Sequence, residues 1–240
     1  MGNKVTYPGN KGIWHGYDSY CFEIDGVESI IVTADSPLKG NPWIWRARFF
    51  NADPSIDLAM LRHGVHLVHT NISDLAGGPE AMRRMNKFYK YLTEEIHFSE
   101  TPILESYSRG ALPALNWAIR NPEKTAMLIL DSPLCNFKSW PKTKREKEIC
   151  RKAGVLNEDY SIIPEWNPVD NLAPLIENKI PVAVLYEESD KVIPIEDNAK
   201  LILTHLKENG GDGRAFSGKQ TFTDDDIEDL TRSAIRAWEK

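Results

Sequence analysis

A chain of 240 residues with 41% hydrophobic residues and a net charge of −6 is typical of a soluble globular protein that buries a large core. No apolar run approaches the ~20 residues that cross a bilayer, and no long basic block suggests nucleic-acid binding. Its three cysteines fit neither a disulfide framework nor a zinc site, so we expect no metal and no cofactor.

The amino-terminal segment, MGNKVTYPGNKG, is polar and lacks the hydrophobic region of a secretory signal. We therefore expect a cytoplasmic protein. A secreted or periplasmic location stays open if a signal peptide has been removed.

Two β-rich runs follow, Tyr20–Ile24 and Glu28–Thr33. The Asp25-Gly26 pair between them predicts a hairpin.

Short apolar strands then alternate with helical segments, which favours a mostly parallel sheet with helices on both faces. The predicted strands are Asn41–Arg46, Val65–His69, Thr101–Ser106, Ala126–Leu130 and Pro181–Tyr186, and the predicted helices lie at 79–94, 109–120, 196–208 and 224–238. The segment near 140–166 breaks this alternation and predicts a small cap insertion in a single domain that spans residues 1–240.

The sequence Ser106-Tyr107-Ser108-Arg109-Gly110 lies between a predicted strand and a predicted helix. This context suits a nucleophile elbow, a sharp turn that exposes a serine at the end of a strand. The helix amino terminus would direct backbone N–H groups at a developing oxyanion. An ordinary strand-to-helix turn is the alternative interpretation.

Asp190 comes just after the buried strand that ends at Tyr186, where the topology of a parallel sheet places ligand chemistry. A carboxylate there could orient a histidine base. The alternatives are a solvated loop acid at this position and Asp131, at the end of another strand, as the acid.

Four stretches, residues 42–50, 105–110, 131–141 and 189–194, resemble the α/β-hydrolase superfamily, in particular bacterial members whose elbow contains Ser-Arg-Gly. The resemblance extends over about residues 18 to 210. It implies the α/β-hydrolase fold, Ser108 as the nucleophile and Asp190 as the acid. It also implies an oxyanion hole made by the backbone N–H of Arg109 and one near Arg46.

The sequence departs from this family in two places. Ser106 and Ala111 replace the outer glycines of the elbow. The family also has a last strand and a Gly-His loop after the helix near 196–208. Here the stretch GRAFSGKQTFTDDDIEDL predicts no strand, and the last histidine of the chain is His205.

The base must then come from another histidine. His69 ends a predicted strand at the catalytic edge and is the substitute we favour; His66, three residues earlier, should point to the opposite face. His205 lies in a helical run that suggests packing. The others are assigned to loops or the surface: His15, His63 and His97.

Arg48, Trp45 and Trp140 are predicted to bind substrate, because arginine forks suit carboxylates or phosphates and indole rings line apolar pockets. Ion pairs with Glu105 or Asp131, and packing in the core, are the alternatives. We predict a serine hydrolase acting on an ester or related acyl bond of a small, anionic molecule. A catalytically silent domain that binds a small ligand or a protein partner, and an altered enzyme that lost its last strand, are the other hypotheses.

Overall fold

A nine-stranded sheet runs through the protein, whose computed structural model describes residues 6–217 and 223–240. The strands in chain order are β1 Asn10–Trp14, β2 Tyr17–Ile24, β3 Val27–Val32, β4 Trp43–Arg46, β5 His66–Thr70, β6 Ile103–Tyr107, β7 Met127–Asp131, β8 Val182–Tyr186 and β9 Gly213–Ser217. They lie side by side in the order β1-β2-β3-β5-β4-β6-β7-β8-β9. The pairs from β5 to β9 are parallel, whereas β1, β2 and β3 are antiparallel additions at one side. The predicted mostly parallel sheet is confirmed.

Helices cover both faces of this sheet. They are α1 Ser55–Arg62, α2 Pro79–Glu94, α3 Ala111–Arg120, α4 Lys144–Lys152, α5 Ala173–Glu177, α6 Ala199–Glu208 and α7 Asp224–Trp238. Residues of α2, α3, α5 and α6 share one hydrophobic core with the sheet, and residues of α1 and α7 share a second core on the opposite face. The central strands are therefore buried on both faces, which explains their continuous apolar sequences.

Local sequence signals explain where several elements begin and end. Asp25 and Gly26 take positive φ values of 50° and 72°, which suits the tight turn of the predicted hairpin between β2 and β3. Pro79 begins α2 at the predicted residue. Thr223 and Asp226 form a capping box at the predicted start of α7, because each side chain accepts the backbone N–H of the other residue.

Two strands contradict the sequence predictions. β9 pairs with β8 in parallel register from Gly213 to Ser217, in a stretch whose sequence predicts no strand. β1 pairs with β2 in the segment that the sequence marks only as a polar amino terminus. Both are edge strands whose side chains are mostly exposed, so neither carries the apolar run that identifies a buried strand.

The segment between β7 and β8 contains α4 and lies over the carboxyl end of the sheet. Its side chains form a third small core with Leu112 of α3 and Ala76 of the loop after β5; the members from the segment are Leu134, Phe137, Cys150, Ala153, Val155 and Leu156. This packing joins the segment near 140–166 to the helix that follows β6. Among the described residues, no helix is both long and apolar enough to cross a membrane.

Candidate active site

Ser108 occupies the turn between β6 and α3. Its φ of 52° lies in the left-handed region, which is uncommon for any residue with a side chain. A short 3₁₀ turn, Ser108–Gly110, leads directly into α3. The backbone N–H of Leu134 donates to the carbonyl oxygen of Ser108 over 3.0 Å, so the segment after β7 holds the turn in place. This is the geometry of a strand–turn–helix elbow with a half-buried serine at its apex.

The residues two before and two after Ser108 explain how the turn fits. A side chain on Gly110 would place its Cβ 3.2 Å from Cβ of Arg48 and 3.6 Å from Cβ of Ser106. Only a small residue therefore suits position 110. Ser106 is fully buried, and its hydroxyl has no hydrogen-bond partner in the described part of the chain.

Two backbone N–H groups lie beside this turn. Arg109 is in the first turn of the helical segment, where N–H groups are not used by the helix itself. Arg48 lies close by, because its backbone nitrogen would be 3.5 Å from a Cβ on Gly110, and its N–H bonds to no described residue.

Arg46, predicted near the oxyanion hole, is oriented differently. The N–H of Ala47 donates to the Glu105 carbonyl in β6 over 3.0 Å. Successive N–H groups of a strand point to opposite sides, so the N–H of Arg46 points toward β5 and away from the elbow. The backbone N–H near Arg46 that lies beside the elbow is that of Arg48, two residues along the chain.

The Arg46 side chain is buried in a cluster of charges on the α1 and α7 face. One guanidinium nitrogen lies 2.8 Å from Asp57 and 2.9 Å from Glu105. Burial lowers the pKa of Arg46, but the two carboxylates outweigh this and raise it overall. Burial raises the pKa of Glu105 well above its usual value and that of Asp57 to about 6. The Arg46 side chain thus forms buried ion pairs with Asp57 and Glu105.

The two candidate acids lie in different surroundings. Asp190 follows β8 and accepts the backbone N–H groups of Val192 and Ile193 over 2.7 and 3.0 Å with one oxygen, which fixes its carboxylate at the carboxyl edge of the sheet. Asp131, at the end of β7, is buried and lines a pocket with Glu105 of the charged cluster. Asp190 is thus the candidate that lies outside that cluster.

No described histidine contacts Ser108. The Nδ1 atom of His69 lies 2.8 Å from the Arg46 carbonyl oxygen, and its ring packs against Phe50 at 5.3 Å. Since β4 separates β5 from β6 in the sheet, the structure does not join His69 to the elbow as a base requires. Burial lowers the pKa of His69 as well.

The remaining histidines have other surroundings. His66 is fully buried and stacks on Phe98 at 4.7 Å. His63 is 2.6 Å from Glu228 at the surface, and His205 lies on α6. Residues 218–222, where the family's Gly-His loop would lie, fall outside the described residues and contain no histidine.

A pocket beside the elbow is lined by Arg48, Asp74, Arg109, Trp140 and apolar side chains of the surrounding loops and helices. Arg109 lies 5.8 Å from the Trp140 ring centroid. Arg48 and Trp140, both predicted to bind substrate, thus line the same pocket, whereas Trp45 does not reach it. Trp45 is fully buried and packs against Trp43 and Trp117 at 5.5 and 5.3 Å, so it belongs to the core.

Three buried asparagines that carry no sequence signal hold the loops of the site together. Asn198 accepts the Cys135 backbone N–H over 2.9 Å, which connects the loop after β8 to the segment after β7. Asn167 accepts the Phe137 N–H over 2.7 Å, and Asn136 donates to the Asp197 carbonyl over 3.0 Å. Isolated asparagines in loops form no sequence pattern. These three residues are recognised only from their burial in the folded structure, where buried polar groups need hydrogen-bond partners.

The described residues contain no metal-binding cluster, and two of the three cysteine thiols are buried. No cluster of three or more His, Cys, Asp or Glu side chains there could hold a metal ion. Cys21, Cys135 and Cys150 are free thiols. Burial raises the pKa of Cys135 and raises that of Cys150 to about 12, which makes both poor nucleophiles.

Comparison of the fold with solved structures gives similar proteins over almost the whole chain. A lipase/esterase from Lactobacillus plantarum is 13% identical, with a TM-score of 0.66 over 92% of this chain and 96% of its own. An S-formylglutathione hydrolase from Staphylococcus aureus is 14% identical, with a TM-score of 0.67 over 92% and 98%. The fluorophosphonate-binding serine hydrolase F of Staphylococcus aureus is 13% identical, with a TM-score of 0.68 over 97% and 100%.

No protein-family model and no curated protein sequence matches the chain. At 12–14% identity the structural similarity establishes the fold, a mostly parallel sheet flanked by helices that is shared with esterases of the α/β-hydrolase type.

Proposed function

We propose that this α/β-hydrolase-fold chain is a serine hydrolase that cleaves an ester or related acyl bond, with Ser108 as its nucleophile. The observation that carries the proposal is the left-handed φ of 52° at Ser108, at the junction of β6 and α3. A strained backbone at one serine, where a strand ends and a helix begins, is what exposes a nucleophile in this fold. The esterases and hydrolases of similar fold support the same class of reaction.

In the proposed reaction, Ser108 Oγ attacks the ester carbonyl carbon and forms a tetrahedral intermediate. The backbone N–H groups of Arg109 and Arg48 donate to the oxyanion. The intermediate collapses, the alcohol leaves as an alkoxide that takes a proton from water, and hydroxide then attacks the acyl-serine and releases the carboxylate product. Oxyanion donors of this kind contribute about 10²–10³-fold each in known hydrolases.

The proton of Ser108 needs an acceptor, and the proposed triad lacks its histidine. Asp190 is the proposed acid. His69 lies on β5, and β4 separates β5 from β6, the strand that leads into the elbow. An enzyme without its base keeps roughly 10³–10⁴-fold acceleration over water. We therefore propose slow turnover that depends on hydroxide for activation of Ser108.

The second candidate is a catalytically silent domain that binds a ligand at the same pocket. The absence of any contact between Ser108 and a described histidine favours it. For either function we propose that the ligand is a small molecule with negative charge, because Arg48 and Arg109 line the pocket. We also propose that the segment near 140–166, which supplies Trp140, acts as a cap over it.

A fluorophosphonate probe tests the proposal directly. We expect slow covalent labelling of the wild-type protein, detected by intact mass and mapped to Ser108 by peptide sequencing, because the elbow exposes this hydroxyl. Ser108→Ala should abolish labelling, and Ser132→Ala, which removes another serine at a strand end, should leave it unchanged. Labelling that persists in Ser108→Ala would exclude Ser108 as the nucleophile.

The rate of p-nitrophenyl acetate hydrolysis, measured against pH for wild type and Ser108→Ala, distinguishes the serine hydrolase from the catalytically silent domain. A histidine base gives a rate that levels off above its pKa of about 6.5. Without one, the rate should rise roughly tenfold per pH unit from pH 6 to 9 because hydroxide activates the serine. If wild type and Ser108→Ala have the same rate at every pH, the silent domain is the correct function.

A further inference from the structure

Arg48 and Arg109 share one aromatic platform next to the elbow. The guanidinium carbon of Arg48 lies 4.9 Å from the Phe49 ring centroid, and that of Arg109 lies 5.9 Å from the same ring. Phe49 packs edge-on against Tyr107, the residue before Ser108, at 6.0 Å. The two positive charges are therefore held beside the proposed nucleophile by packing and not by a carboxylate between them.

The charges of this pair are poorly balanced by the protein. Arg48 makes a single ion pair, 3.3 Å from Asp74, and the Asp74 side chain is 67% exposed. No carboxylate in residues 6–217 or 223–240 lies within ion-pair distance of Arg109. Burial lowers the pKa of Arg48, and the nearby charge of Arg109 lowers it further. A ligand with a negative charge would relieve this repulsion.

The same pocket also offers an apolar wall. Its lining combines Arg48, Asp74 and Arg109 with the side chains of Ile72, Trp140 and Ile149. Guanidinium groups bind planar carboxylates through paired hydrogen bonds. Arg48 already binds one carboxylate, that of Asp74, so a ligand carboxylate would take the place of Asp74 at Arg48.

We propose that the substrate is an ester that carries a free carboxylate on a short apolar chain, such as a half-ester of a small dicarboxylic acid. The carboxylate binds between Arg48 and Arg109 and displaces the Asp74 side chain from Arg48. Asp74 acts as a competing internal anion that weakens binding. This inference rests on the proposed function only where it calls the ligand a substrate. Binding of the ligand can be tested without turnover.

The test measures binding to the Ser108→Ala protein by calorimetry, which removes turnover from the experiment. Monomethyl succinate carries the carboxylate, and dimethyl succinate is its neutral match. We expect the monoester to bind about 10-fold more tightly, a typical effect of hydrogen bonds to a charged group. Added NaCl should reduce this preference, because salt screens the attraction.

Variants made in the same background assign the effect to residues. Arg48→Gln and Arg109→Gln should each reduce the binding of monomethyl succinate to the level of the diester. Asp74→Asn should strengthen monoester binding severalfold and leave the diester unchanged, because it removes the competing anion. Arg62→Gln is the control, since Arg62 pairs with Glu228 at the surface, and it should have no effect. Thermal melts establish that each variant is folded.

Equal binding of the two esters would overturn the proposal, as would an equal loss in Arg62→Gln and Arg48→Gln. Tighter binding of methyl phosphate than of monomethyl succinate would also overturn it, because the site would then select a phosphate. None of these outcomes depends on turnover. Failure of the site leaves the hydrolysis of p-nitrophenyl acetate as the test of the esterase, and failure of the esterase leaves the anion site intact.

Discussion

Ser108 adopts a backbone conformation that its own side chain disfavours. In the left-handed region Cβ crowds the following carbonyl oxygen, which costs about 1–2 kcal/mol for a residue other than glycine. The rest of the turn imposes the conformation. The Ser108 carbonyl oxygen accepts a hydrogen bond from the Leu134 N–H, and Gly110 packs against Arg48. The strain therefore comes from the backbone conformation and affects any residue with a Cβ at this position, whether or not it carries a hydroxyl.

Two substitutions that both remove the hydroxyl separate these effects. We expect Ser108→Gly to be about 1 kcal/mol more stable toward urea unfolding than Ser108→Ala, because glycine tolerates a φ of 52°. The same pair at Ser233, inside α7, should give the opposite order, since alanine is favoured over glycine by about 1 kcal/mol in a helix. Equal stability of the two Ser108 variants would contradict a strained elbow.

At the scale of elements, the loop after β5 is fixed against α3. Gly77 has a φ of 72°, and a side chain there would place its Cβ 2.8 Å from the backbone of Leu112 and Pro113. The Gly77 carbonyl also accepts a hydrogen bond from Asn116 of α3 over 3.2 Å. This close approach positions Ile72 and Asp74 of the same loop along the pocket.

Gly210 provides a matched comparison, because it has the same φ of 72° but a Cβ added there would meet no atom within 4 Å. Gly210→Ala should cost about 1 kcal/mol from backbone strain alone. Gly77→Ala should cost roughly 2 kcal/mol more, because it also forces the loop away from α3. Urea unfolding measures both, and equal losses would show that the contact with α3 contributes nothing.

For the whole molecule, the cluster around Arg46 makes stability depend on pH. Burial disfavours the charged forms of Asp57 and Glu105 more than the nearby guanidinium of Arg46 stabilises them, so the folded state binds a proton there more tightly than the unfolded chain. The pKa of Asp57 is about 6 in the folded protein against 3.8 ordinarily. Its contribution to stability is therefore fully present below pH 3.8 and is lost as pH rises to about 6.

Asp57→Asn should remove the part of this dependence that comes from Asp57, since asparagine resembles the protonated acid. Burial lowers the pKa of His66 to about 4, so His66 makes the free energy of unfolding rise with pH over the same range. The quantity to compare is therefore the difference in unfolding free energy between variant and wild type. From pH 5 to 7 we expect the variant to gain on the order of 1 kcal/mol relative to wild type. Asp229→Asn, at an exposed pair with Arg214, should give a constant difference. A constant difference for Asp57→Asn would contradict the coupling.

The features that depend on neighbours along the chain can be predicted from the amino-acid sequence. The Asp25-Gly26 hairpin, the start of α2 at Pro79 and the serine turn before α3 follow from conformational preferences of a few adjacent residues. The buried strands follow from mainly apolar runs, because a strand covered on both faces buries nearly all of its side chains.

Features that depend on contacts between distant segments became visible only in the folded protein. The edge strand β9 exists because its backbone bonds to β8, and its exposed side chains carry no signal of it. Trp45 lies in the core and Trp140 at the pocket, although both are tryptophans near a predicted site. Arg46 pairs with buried acids, whereas Arg48, two residues on, faces Arg109. The direction of a side chain relative to the sheet, and the charges that meet it there, are set by segments far away in the chain.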